Sequence, residues 1–263
     1  MILALFLVAG LAPWLARYDP VQQHRDGLRG GYPVAPNAKF LLGTDNLGRD
    51  VFSRLIWGAR ISLTVGILAN AMAVLIGTFV GATAGLVGGW VESILMRFTD
   101  VVMGFPVFLL AVALITILRP GLGTVIVVIG LVYWTYLARI VYNKVTILRE
   151  MEFVLAARSI GGTTGHILLR HILPQIVSLM IVYMTLGIAS AIILESTLSF
   201  VGIGIQPPTP SWGNMISEGQ QYYRSAPWMV LWPGLAITVT VLGFNLFGDG
   251  LRDALDPQQR HRR

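Results

Sequence analysis

The sequence predicts an all-α polytopic membrane protein with six transmembrane helices. Three observations carry this expectation. Of 263 residues, 55% are hydrophobic and only 12% are charged, whereas an ordinary soluble domain is about 25% charged. Six apolar runs divide the chain, most of them close to the ~20 residues that a helix rising 1.5 Å per residue needs to cross a core of about 30 Å. The basic residues fall in the gaps between those runs rather than on one soluble face, which suits a bilayer and argues against a nucleic-acid partner. There is no cysteine, so disulfides, thiolate nucleophiles and cysteine metal sites are excluded.

The first run, residues 1–16, is short and contains Pro13. No Lys or Arg precedes Arg17, so it lacks the basic start of a secretory signal and reads as a first transmembrane helix, with a cleaved signal as the alternative. Residues 17–60 form a polar segment. The second run, 61–87, places Ala69, Ala73, Gly77, Gly81 and Gly85 at every fourth position, which makes one smooth helical face. Such a face permits close backbone approach. Two readings are open: a contact inside a multi-helix pore, or ordinary packing within the chain. Asn70 in the same run either lines a pathway or bonds a neighbouring helix.

The third run, 101–118, contains Phe105–Pro106, where the missing proline donor favours a kink. Runs four to six cover 124–141, 176–198 and 228–247. Glu195 is 21 residues beyond Pro174, about 31 Å along a helix, which predicts a position near the outer surface. Asp100, Arg97 and Asp249 read as charges at helix ends. The loop 200–227 combines Pro207, Pro208 and Pro210 with Trp212, Tyr222 and Tyr223, a stiff segment that either receives a partner or anchors at the interface.

Orientation follows the basic residues. Arg139, Lys144, Arg149, Arg158 and Arg170, the tail residues Arg252, Arg260, Arg262 and Arg263, and Arg97 share one side, whereas the opposite short loops hold Arg119 and Arg224. Residues 17–60 carry seven more on that opposite side, so cytoplasmic N- and C-termini are favoured rather than forced.

Residues 150–174 are too polar to span and too patterned to be an irregular loop. Phe153, Ala156, Ala157 and Ile160 fall at i, i+3, i+4 and i+7, one face of a short helix. Glu152 suits its start and Arg158 lies in the same helix. Gly161–Gly162 ends it, and Thr163 or Thr164 caps a second short helix. Arg170 and His171 suit that helix's end, and Pro174 suits the first turn of the fifth span. The product is a helix–Gly–Gly–helix elbow joined to a span. It either docks in a groove of a soluble partner or rests on lipid headgroups.

The stretch "AARSIGG…LLRHILP" resembles the cytoplasmic coupling loop of ABC-importer permeases, whose pattern is Glu-Ala-Ala, three residues, Gly, nine residues, Ile-x-Leu-Pro. Ala156, Ala157, Gly161, Leu173 and Pro174 match; Leu155 stands in place of Glu and His171 in place of Ile, with Glu152 as an acid three residues before Leu155. "LLGTDNLGRDVFSRLIWGARISL", "LESTLSFVGIGIQPPTPSWGNMI" and "NLFGDGLRDALDP" are similar to segments of the dipeptide, oligopeptide and nickel permeases, the last pointing to the C-type of two paired subunits. The resemblance covers nearly all of residues 40–257.

The resemblance implies an ABC type-1 permease fold divided into 1–59 (first helix and external segment), 60–250 (permease core) and 251–263 (cytoplasmic tail). It implies an importer of di- or oligopeptides in a bacterial-type inner membrane; nickel or another small solute is the alternative cargo. Implied partners are a B-type permease, two ATP-binding subunits that hold ATP and Mg, and an extracytoplasmic binding protein. The coupling-loop residues are then Glu152, Ala156, Ala157, Arg158, Gly161, Gly162, Leu173 and Pro174, with Asn70, Gly77, Gly81, Gly85 and Pro106 as pathway or packing candidates. Independently, Walker A requires Gly-Lys before Ser or Thr, and the two lysines, Lys39 and Lys144, follow Ala38 and Asn143. Neither HExxH nor Gly-x-Ser-x-Gly occurs. The expectation is a chain with no catalytic or metal site and no cofactor of its own. A passive channel, a secondary carrier and a membrane-anchored scaffold are the rival classes.

Overall fold

The computed structural model describes residues 1–255. Of the expected tail, residues 256–263 lie outside them, with Arg260, Arg262 and Arg263. Helices dominate. The chain opens with α1 (Ile2–Gly10) and α2 (Ala12–Leu15), followed by a segment holding one two-stranded antiparallel hairpin, β1 (Leu28–Arg29) and β2 (Tyr32–Pro33). In that segment the Lys39 ammonium hydrogen-bonds Asp26, which lowers the carboxyl's pKa and raises that of the lysine.

The long helix α3 (Val51–Val87) begins ahead of the apolar run at residue 61 because Asp50 caps it, accepting from the Ser53 backbone N–H at 2.8 Å. It is followed by α4 (Gly89–Met103), α5 (Val107–Leu118) and α6 (Leu122–Arg149). The elbow comprises α7 (Glu152–Ser159), α8 (Thr164–Ile167) and a π-helical turn, Leu168–Ile172. The chain finishes with α9 (Leu173–Phe200), α10 (Trp212–Gly219) and α11 (Trp228–Leu255).

Among the described residues, four helices are long and apolar enough to cross a membrane: Val51–Val87, Leu122–Arg149, Thr164–Phe200 and Trp228–Leu255. A fifth crossing is the pair α4 and α5, bent by 91°. Helix direction supports counting that pair as one passage. Gly77, Gly81 and Gly85 of α3 face Trp134, Ala138 and Tyr142 of α6 in the same order, so α3 and α6 run parallel and the chain must return between them. α9 runs opposite to α3, with Ser62 beside Glu195, Gly66 beside Ile192 and Asn70 beside Met184. The Trp228 indole donates to the Thr44 carbonyl at 3.0 Å, which ties the start of α11 to the start of α3. This end of the bundle is the head; the other is the elbow end.

Two expectations need correction. The first run is not one span-length helix. It breaks at Leu11 because Pro13 has no N–H to offer the Ala9 carbonyl, and the two pieces total 13 residues, nine in α1 and four in α2. Met1 packs against Gly243, halfway along α11, so α1 and α2 cover the head half of the bundle. The third run is likewise not one helix: the turn at Gly104–Pro106 splits it into α4 and α5.

The stripe of small residues packs α3 closely against α6 within the chain. A Cβ at Gly77 would come within 2.6 Å of the Trp134 carbonyl oxygen, and one at Gly85 within 3.0 Å of the Tyr142 carbonyl oxygen. Small residues let these backbones touch where lipid supplies no hydrophobic drive. The core lies along this seam, with Val141, Val145, Leu148, Ile172 and Ile176 buried toward the elbow end and Val65, Val125, Ile129 and Leu198 toward the head.

Candidate functional site: an elbow and a chamber

The elbow is built by local chemistry. At the end of α7, Gly162 N–H donates to the Ala157 carbonyl and Gly161 N–H to the Arg158 carbonyl, both at 2.9 Å. This is the Schellman pattern, and it requires Gly161 at φ 88°, a conformation that a side chain strains. Thr163 then caps α8, accepting from His166 N–H at 3.3 Å. α8 is not a separate helix as expected; it continues through the π turn into α9, forming one helical stretch from Thr164 to Phe200. In a regular α-helix the Pro174 ring would meet the Arg170 carbonyl, and the wider π turn just before it accommodates the ring. Glu152 lies in the first turn of α7 and Arg158 in its last.

Of the apolar face read from the sequence, Ala157 turns inward and the other three residues are exposed. Val154 and Ala157 are buried against Leu148, Ile167, Ile172 and Ile176. Phe153 and Ala156 are exposed, as is Leu155, and Ile160 is 88% exposed. Five consecutive apolar residues, 153–157, offer more than one face, and contact with α6 and α8 selects between them. His171 sits 6.4 Å from the Phe153 ring and 5.7 Å from the His166 ring, so aromatic contacts brace both arms. Leu173 packs against the same core, while Pro174 is exposed. The eight expected coupling residues therefore gather in one rigid corner with an apolar outer edge.

The second feature is a cavity of about 370 Å³ beside the α4–α5 break. α3 contributes Asn70, Ala73 and Val74, and the break contributes Val102, Met103, Phe105 and Val107. Tyr133, Thr135 and Tyr136 of α6 face Tyr183, Gly187 and Ser190 of α9. Asn70 lines this cavity, and its amide donates to the Met184 carbonyl at 2.5 Å. Gly187 makes room for that amide, since a Cβ there would collide with it. Pro106 sits between two lining residues. Gly77, Gly81 and Gly85 belong to the α3–α6 seam and not to the cavity.

The family model described as "Binding-protein-dependent transport system inner membrane component" matches residues 73–261. The chain belongs to this family. It is 42% identical over 260 residues to the dipeptide transport system permease protein DppC of Alkalihalophilus pseudofirmus, covering 99% of this chain and 84% of that protein. It is 43% identical over 258 residues to the glutathione transport system permease protein GsiD of Escherichia coli O157:H7, covering 98% and 84%. In fold it is similar to a chain of the MetNI methionine ABC transporter in an inward-facing conformation, with a TM-score of 0.63 at 18% identity over 77% of this chain and 96% of that one. The chain is thus a membrane-embedded ABC permease, and its family is one of transport components.

Within this family framework, three polar constellations escape a linear reading. At the head, Arg49 and Arg54 share Glu218 of α10, at 2.6 and 2.8 Å, and Arg49 also binds Asp45 at 2.5 Å. Both arginines are buried. Asp45 and Arg49 are four residues apart, a visible signal, but Glu218 arrives from 164 residues beyond Arg54. Glu195 lies close to the head end of α9, as its spacing from Pro174 predicts, and is fully buried there because α10 and the loop before it cover it. Its carboxylate accepts from Ser199 at 2.8 Å, Ser62 at 3.1 Å and Ser196 at 3.4 Å. The third constellation is Asp100 with Arg139, an ion pair between α4 and α6 whose two side chains are 53% and 31% exposed.

Proposed function

We propose that this chain is the C-type permease subunit of an ATP-driven importer of short peptides, forming half of the pathway. The elbow carries the reading. It is locked by its Schellman glycine and buried Val154 and Ala157, yet it presents Phe153, Leu155, Ala156 and Ile160 outward. A rigid corner with an apolar edge fits a docking surface for a soluble partner better than a flexible tether does. The partners are two ATP-binding subunits that hold ATP and Mg, a B-type permease and an extracytoplasmic binding protein. The elbow end then faces the cytoplasm and the head faces outward, in a bacterial-type inner membrane. The names of the relatives at 42–43% identity support peptides or glutathione as cargo over nickel.

Closure of the ATP-binding pair moves the elbow, and the unbroken helix Thr164–Phe200 carries that displacement toward the head. Ile160→Glu tests this without touching the core, because Ile160 is exposed. The expected result is normal membrane insertion and thermal stability, with at least a tenfold loss of ATP-binding subunit co-purification or of ATP-driven peptide uptake. Ala157→Glu, which also breaks core packing, loses both stability and uptake. Undiminished uptake in Ile160→Glu, or uptake that persists after ATP depletion, rejects the proposal and favours a passive carrier.

A further inference from the structure

We infer that the cavity at the α4–α5 break and the Asp100–Arg139 pair together form a transient binding site for short zwitterionic peptides. The inference rests on the importer reading above and adds which residues meet the cargo and which parts of the cargo they read. The lining has hydroxyls and an amide but no carboxylate, ammonium, guanidinium or imidazole. Such a chamber accepts an apolar or aromatic side chain against Tyr133, Tyr136 and Tyr183, and it offers Asn70 and Ser190 to a peptide group. It leaves both charged ends of a peptide without partners, and unpaired charge in a low-dielectric space is costly.

The charges stand one helical turn away. Arg139 follows Thr135 by four residues and Tyr136 by three, so it continues the lining face of α6 toward the elbow end. Asp100 precedes Met103 by three residues and continues the lining face of α4 in the same direction. The two side chains meet as an ion pair at the rim. One cation and one anion side by side complement the carboxylate and ammonium of a free peptide. Both side chains are partly exposed, and an ion pair that is not enclosed by the protein is held weakly. Exchange of its two halves for the ends of the cargo is therefore nearly balanced, which suits a site that must also release. Charge-assisted bonds from Arg139 to a carboxylate supply the orientation.

The head cluster cannot take this role. Arg49, Arg54, Asp45 and Glu218 are held by one another in the interior, away from the cavity.

The test uses the complete importer in nanodiscs without the binding protein, so that the permeases alone select. The probes are tritiated alanyl-phenylalanine, its C-terminal amide and its N-acetyl form. Wild type is expected to bind the free dipeptide at least tenfold more tightly than either blocked form. Arg139→Gln weakens the free peptide to the level of the amide and leaves the amide unchanged; Asp100→Asn does the same with respect to the N-acetyl form. Tyr136→Ala weakens alanyl-phenylalanine several-fold but not glycyl-glycine. Equal binding of free and blocked peptides by wild type, no saturable binding, or a parallel loss for all probes in Arg139→Gln overturns the inference. ATP-driven uptake with the binding protein present, measured on the same preparation, separates the two claims: its absence in wild type refutes the importer reading, whereas its presence with indifferent binding refutes only the site.

Discussion

The head and the cavity rim each hold arginine–carboxylate pairs, and they hold them differently. At the head, Arg49 and Arg54 are 3% and 1% exposed and share Asp45 and Glu218 in a closed network. At the cavity rim, Arg139 and Asp100 form a single, partly exposed pair. Burial sets the consequence. Removing one member of an enclosed network strands a charge, whereas removing one member of an open pair hands its partner to water. The head is thereby built to stay as it is, and the rim is built to exchange.

Substitutions can break this contrast, beginning with the largest expected effect. Glu218→Ala leaves two buried guanidinium groups short of an acceptor and is expected to destabilise the folded chain by about 3–5 kcal/mol, read as loss of the purified protein's denaturation midpoint. Glu195→Ala removes the acceptor for Ser62 and Ser199 and costs about 1–3 kcal/mol, while Glu195→Gln, which keeps an acceptor oxygen, retains most of that stability. Gly81→Ala pushes a methyl group into the Ala138 carbonyl and costs about 1–3 kcal/mol by overpacking, with Gly234→Ala, a helical glycine where an added Cβ meets nothing, as the control. Arg139→Gln is expected to change stability by no more than about 1 kcal/mol. If Arg139→Gln destabilised the chain as much as Glu218→Ala, the contrast between head and rim would be lost.

Much of the architecture was legible because it depends on local chemistry. Runs of apolar residues announce α3, α6, α9 and α11, and Gly161–Gly162 followed by Thr163 announces the elbow. Where packing decides, the sequence was a weaker guide. Pro106 marked the position of the α4–α5 break but carried no information about a 91° angle. Because residues 153–157 are all apolar, periodicity alone cannot tell which face of α7 packs on the chain and which turns outward. The π turn before Pro174 has no compositional signature, and it converts an expected second helix into the start of α9. The tyrosine chamber and the head network join side chains from three or more elements, a proximity that exists only after folding. Counting residues along α9 locates Glu195 near that helix's head end but says nothing of α10, which covers it.

The in-step seam between α3 and α6 limits how the molecule can deform. Each glycine receives a backbone carbonyl from the opposite helix at four-residue intervals, and four residues correspond to about 6 Å of helix. A smaller slide would set the branched side chains of Ile76 or Val80 against those carbonyls. Gradual shear along this line is therefore obstructed, and so is independent tilting of either rod. Along Gly77 to Gly85 the two helices are therefore held as one unit, like a beam pinned to its neighbour.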